Sequence, residues 1–206
     1  ISHVEWTSGL NYDVKAIAEI AHEHGAYIID DPYQAVGAID VDARADGVDF
    51  LTVGSEKWLC CPSTAGIFYI RRDIIDEFEP SYRLYDSVAD LWRTGAPWER
   101  LGHDNIVDYD RPLVKTAEKF YQGCVSGDAV WGFHATLRYF NSLGVKDIER
   151  RVRHLSGYLI DGLRELGVKV NTPFEPRERA GLVTYTTGSH EHDIRSYSAF
   201  QRNSVI

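Results

Sequence analysis

The sequence predicts an α/β fold: a three-layer, mainly parallel sheet followed by a smaller α+β lobe. Three observations predict it. Helix-periodic segments and short apolar segments alternate along the first half of the chain. The apolar runs "AYII", "VDFLTV" and "AGIFYI" are short and of strand type, and their alternation with helix suggests a sheet covered on both faces. The last quarter alternates differently, which marks a second unit.

The elements follow in order. Residues 13–24 place Val14, Ile17, Ala18 and Ala21 on one helical face, with Asp13 as N-cap and Gly25 as stop. Strands are expected over 26–29, 46–53 and 65–70. Residues 82–109, rich in Gly, Pro and Trp, read as a long ordered loop, with Trp92 and Trp98 packing at a dimer interface or over a cleft. Helices are expected over 112–121 and 128–143, the second ended by Gly144. A long amphipathic helix over 146–166 carries Ile148, Val152, Leu155, Leu159 and Leu163 on one stripe, and Gly167 closes it. "VKV", a Pro/Glu/Arg-rich turn, "GLVTYTT" and a helix over 191–202 complete the chain. Residues 1–145 are expected to be part of a large domain, and 146–206 a linking helix with part of a small one.

Composition narrows the function. The 206 residues are 44% hydrophobic, enough for a sizeable core. A net charge of −9 argues against nucleic acid or an anionic membrane as partner. No apolar run approaches a membrane span, and no secretory signal opens the chain. Three cysteines, two of them adjacent at Cys60 and Cys61, suit neither a disulfide framework nor a metal site, so a reducing, cytoplasmic setting is expected. His22 and His24 lack the further ligands a metal needs, and His190 to Asp193 reads as a helix cap; no metal site is expected. The chain starts at Ile1, holds no methionine, and ends in "RNSVI", which reads as the start of a strand. A fragment of a larger fold is expected.

In an open α/β sheet, ligands sit at the carboxyl ends of the strands. Here "AYII" ends in Asp30-Asp31, with Gln34 close behind, and "VDFLTV" ends in Gly54-Ser55, with Lys57 close behind. Each residue has a plainer reading as a solvated lysine, a turn former or a cap. Together they offer a carboxylate, an amide, a hydroxyl and an amine to one sheet edge. A lysine amine forms a Schiff base with a carbonyl. Pyridoxal phosphate is the best-known partner, and its ring works best as an electron sink with a carboxylate opposite the pyridine nitrogen. Asp31 suits that carboxylate, Gln34 the phenolic oxygen, and Ser55 the phosphate. A rival reading is magnesium-dependent phosphoryl transfer through Asp30, Asp31, Ser55 and Lys57, and a third is a degenerate, non-catalytic member of the same fold.

The segment from "SHVEWTSGL" to "IIDDPYQAVG" and "VGSEKWL" resembles the class V aminotransferase family, which includes cysteine desulfurases, selenocysteine lyases and isopenicillin N epimerase-like proteins. "STAGIFYIRRD" and "ERRVRHLSGYLIDGLRELGVKV" extend the resemblance along nearly the whole chain. It implies the fold-type-I pyridoxal phosphate architecture, a homodimer, and an amino acid substrate. It implies Lys57 as the Schiff-base lysine, Asp31 at the pyridinium, Gln34 at the phenolic oxygen and Ser55 at the phosphate. Two residues depart from the pattern: Glu56 stands where a phosphate-binding His is common, and Cys124 where a Thr is common.

Overall fold

The computed structural model describes residues 1–84, 86–89, 111–121, 123 and 126–205. Trp92, Trp98, Cys124 and most of the loop expected over 82–109 lie outside the described residues.

Helix α1 spans Val14–Glu23 and is set by its ends. The Asp13 carboxylate accepts the Ala16 N–H, and Gly25 turns the chain out at φ 67°, a left-handed conformation that glycine adopts without steric cost. That turn also takes the Ala26 N–H to the Ala21 carbonyl, so Ala26 belongs to the helix end and not to the strand expected over 26–29. Strand β1 is therefore Ile29–Asp30. Likewise Asp46 and Val48 bond back to Asp42 and Ala43 in a turn, and β2 begins later than expected, as Phe50–Gly54. Strand β3, Gly66–Ile70, falls where the apolar run placed it.

The three strands form one sheet in the order β1-β2-β3. β1 and β2 are parallel, with Ile29 opposite Phe50 and Asp30 opposite Leu51. β2 and β3 are antiparallel, from Phe50 opposite Ile70 to Gly54 opposite Gly66. The N-terminal segment lies along the other side of β1 through a parallel bridge from Ser2 to Asp31.

Alternation along β2 sorts the two faces. Leu51 and Val53 point into a cluster with Val14, Ala18, Ile28 and Val48, so α1 covers that face. Phe50 points the other way, into an aromatic group with Tyr27 and Phe78 whose rings meet edge to face. Ile70, Ile74 and Ile75 pack beside it, the last two on a 3-10 turn at Arg72–Glu77.

The helix expected over 112–121 is a single 3-10 turn, Ala117–Phe120. The backbone explains the difference. Pro112 accepts from the Ala89 N–H and Val114 donates to the Ser87 carbonyl, an extended pairing that a helix would forbid. Helix α2, Gly127–Leu143, starts at the Ser126 cap and ends at Gly144, φ 86°. Helix α3, Val145–Glu165, follows at once. Strands β4, Lys169–Val170, and β5, Tyr185–Thr186, pair antiparallel. Ser189 caps the last helix, α4, His190–Arg202. Ala180, between β4 and β5, shares a cluster with Val4, Ala35 and Ile39, so this tail packs on the front of the chain.

Asp49, with no exposed surface, ties the sheet together. Its carboxylate accepts the Ile28 N–H at 2.8 Å, bonds His22 Nε2 at 2.8 Å, and pairs with Arg71 at 2.7 Å. It therefore joins α1, the approach to β1 and the exit of β3. Removing one side of a buried charge network costs about 3–5 kcal/mol. His22 and Arg71 keep 36% and 34% of their side chains exposed and can rehydrate, which favours the low end. Asp49→Ala is expected to cost about 3 kcal/mol in urea unfolding. A value near zero would show the network to be dispensable.

Candidate functional site

Parallel strands leave their sheet at the same edge. β1 exits into Asp31 and β2 exits into Ser55, so the two loops lie side by side.

The first loop turns at once. Ala35 and Val36 both donate to the Pro32 carbonyl. The Asp31 side chain is exposed, and its Oδ1 accepts the Tyr33 N–H at 3.1 Å. Asp30 goes to the opposite face, as strand alternation dictates. It is fully buried, and its Oδ2 meets His3 Nδ1 at 2.8 Å. The two side chains therefore leave the strand on opposite faces. Among the described residues, no group of three or more His, Cys, Asp or Glu could hold a metal ion. His22 and His24 also part: one bonds Asp49, the other the Ile20 carbonyl at 2.9 Å.

The second loop is closed by Ser55. Its N–H donates to the Ala65 carbonyl at 3.2 Å, and its carbonyl accepts the Cys61 N–H at 3.1 Å. Its hydroxyl lies within bonding distance of the Pro62 and Ala65 carbonyls, at 3.0 and 2.9 Å. Ser55 has no exposed surface. In this arrangement its hydroxyl binds the loop to itself. Cys60, exposed, takes φ 53° at the loop's far side, and Cys61 is buried.

Lys57 stands exposed on this loop. Its Nζ sits 4.3 Å from the centroid of the Tyr33 ring. The Tyr33 hydroxyl donates to Glu56. That bond is the main cause pulling the Glu56 carboxyl below, and pushing the Tyr33 phenol above, their ordinary values. A Cβ at Gly54 would collide with the Tyr33 ring, so this glycine makes the space the ring occupies.

Gln34 meets Trp58. The indole Nε1 donates to Gln34 Oε1 at 3.1 Å. An indole can only donate, so this bond fixes which way the amide faces and leaves its NH₂ as the free donor. The other edge of Trp58 abuts Gly181, where a Cβ would collide with it.

The sequence-expected residues Asp31, Gln34, Ser55 and Lys57 thus lie on two adjacent loops, with Ser55 buried, Gln34 half-buried, and Asp31 and Lys57 exposed. Tyr33 and Trp58 were not singled out from the sequence, and Gly54 was named only as the end of its strand. Their signal was adjacency: a buried or half-buried Tyr or Trp needs a polar partner, and each here stands beside a site residue.

The sequence model of the aminotransferase class-V family matches residues 1–200. A probable cysteine desulfurase of Pyrococcus abyssi is 26% identical over 197 residues, covering 95% of this chain and 45% of that protein. The apo structure of a cysteine desulfurase from Thermococcus onnurineus NA1 superposes with a TM-score of 0.76 at 27% identity, covering 95% of this chain and 45% of the other. The structure of a C-DES mutant with glycine covalently linked to its PLP cofactor has the same fold, with a TM-score of 0.78 at 21% identity, over 98% of this chain and 50% of the other. The chain spans about half the length of the relatives it matches.

The Tyr33 phenol is expected to ionise above the ordinary tyrosine value in a spectrophotometric titration. Replacing its charged partner, in Glu56→Gln, should lower that midpoint. An unchanged midpoint would mean that the Glu56 bond does not form in solution.

Proposed function

This chain belongs to the class-V aminotransferase family, and on that premise we propose that it supplies the reactive lysine, Lys57, of a pyridoxal phosphate-dependent enzyme acting on an amino acid. The observation that carries the proposal is the parallel pairing of β1 and β2, which sets Asp31 and Lys57 on neighbouring strand ends.

The donor set fits the ring end of that cofactor. Asp31 offers an exposed carboxylate for a pyridinium nitrogen, Gln34 an oriented amide N–H for a phenolic oxygen, and Lys57 an exposed amine for an aldehyde. The phosphate end is served differently. A phosphate contact from Ser55 would require its hydroxyl to leave the Pro62 and Ala65 carbonyls. Its evident work is to shape the loop that carries Lys57.

When bound, pyridoxal phosphate supplies an electron sink for charge left at a substrate's α-carbon. This chain's residues would do the rest. Asp31, an acceptor when ionised, would keep a ring nitrogen protonated. Gln34 would donate to the oxygen beside the aldehyde. Lys57 would hold the aldehyde carbon through its amine and would carry a proton to or from a substrate's α-carbon. Working as a homodimer is part of the proposal, as the family resemblance implies. Relatives named cysteine desulfurase make L-cysteine the first substrate to assay, with amino-group transfer and related lyase chemistry beside it.

The test is borohydride reduction of the intact gene product incubated with pyridoxal phosphate. The cofactor should be fixed on the peptide containing Lys57, and Lys57→Ala should abolish the label and lower turnover about 10²–10⁴-fold. A protein that stays colourless with added cofactor, or a Lys57→Ala variant that behaves as wild type, overturns the proposal. The second result would mark a non-catalytic member of the fold.

A further inference from the structure

We propose that Tyr33 is the positioning residue of this site, seating the Lys57 amine on its ring face, with Glu56 as the lock that holds the ring. The inference rests on the reading of Lys57 as the reactive amine and deepens it.

Four contacts converge on Tyr33. Its N–H holds Asp31 Oδ1 at 3.1 Å. Its ring carries Lys57 Nζ at 4.3 Å. Its hydroxyl donates to Glu56. Its ring fills the space that Gly54 leaves empty. One residue therefore touches the carboxylate on the first loop and the amine on the second.

The physical need is clear from the lysine itself. Its flexible four-carbon stem lets an exposed amine sweep a wide volume. The negative face of an aromatic ring attracts an ammonium and narrows that volume. A ring serves as a seat only if it is itself fixed. Gly54 lets Tyr33 lie close over β2, and Glu56 anchors its far end. This also gives the carboxylate beside Lys57 a role. Glu56 is turned onto a phenol on the neighbouring loop, where it braces the two loops against each other. The amine is thereby held over the ring whenever it is not bonded to cofactor.

The experiment uses the intact gene product freed of cofactor. Lys57 is labelled with trinitrobenzenesulfonate and the rate is followed on its peptide by mass spectrometry. An amine seated on the ring is shielded from the reagent. Tyr33→Leu is expected to label about two- to fivefold faster, the factor that an exposed cation–ring contact is worth. Tyr33→Phe keeps the ring and should change the rate by less than about twofold. Glu56→Ala, on the surface, should fall between them. On adding pyridoxal phosphate, the Leu variant should develop its violet absorption band more slowly, and the Phe variant should recover most of the rate. A folded Tyr33→Leu variant that labels at the wild-type rate overturns the proposal. If that variant does not fold, Glu56→Ala labelling at the wild-type rate overturns it instead. The two readings fail separately: an unchanged Lys57→Ala variant removes the role of Lys57 in cofactor binding, while the labelling rates still report whether Tyr33 seats the amine.

Discussion

The site depends on one pairing: β2 lies parallel to β1. Two parallel strands deliver their following loops to one edge, whereas an antiparallel pair would send them to opposite ends. The register sets how far each loop reaches. Asp30 is level with Leu51, so Asp31 leaves its pairing with β2 while β2 still has residues to run to Gly54. The first loop is thus a tight turn at Pro32, and the second a longer excursion pinned by Ser55. Side chains do the spanning: the Tyr33 hydroxyl reaches Glu56, and the Trp58 indole reaches Gln34.

Burial divides the polar residues into two kinds. Asp30, Asp49 and Ser55 have no exposed surface, and each is committed to partners within the fold. Asp31 and Lys57 are exposed. A buried unpaired polar group costs about 1–3 kcal/mol, so the first set must be bonded for the chain to fold. The second set carries no such demand. This distinction separates Asp30 from Asp31 even though they are neighbours.

Trp58 carries the arrangement to the tail. One edge orients Gln34, and the other fills the place beside Gly181. Ala180, next to it, sits in the same cluster as Ala35, on the turn after Asp31. The chain between β4 and β5 therefore packs directly behind both site loops.

The amino-acid sequence by itself determined where the long helices lie and which family the chain belongs to. Apolar periodicity and caps placed α1, α2, α3 and α4 within a few residues, because those signals are local: the Asp13, Ser126 and Ser189 side chains each accept from a backbone N–H three residues on. The family motif brought Asp31, Gln34, Ser55 and Lys57 to one place. Tertiary structure decided what local signals do not carry. Where β1 and β2 begin was set by turns that claim the Ala26, Asp46 and Val48 N–H groups, and the expected helix over 112–121 gave way to pairing with residues 87–89. Only the fold turned Asp30 inward to His3 and Asp31 outward, committed the Ser55 hydroxyl to the loop, and laid Lys57 on Tyr33. Residue identity determines which bonds a side chain can make; which partner it meets depends on strand register and loop closure, and those are properties of the folded chain.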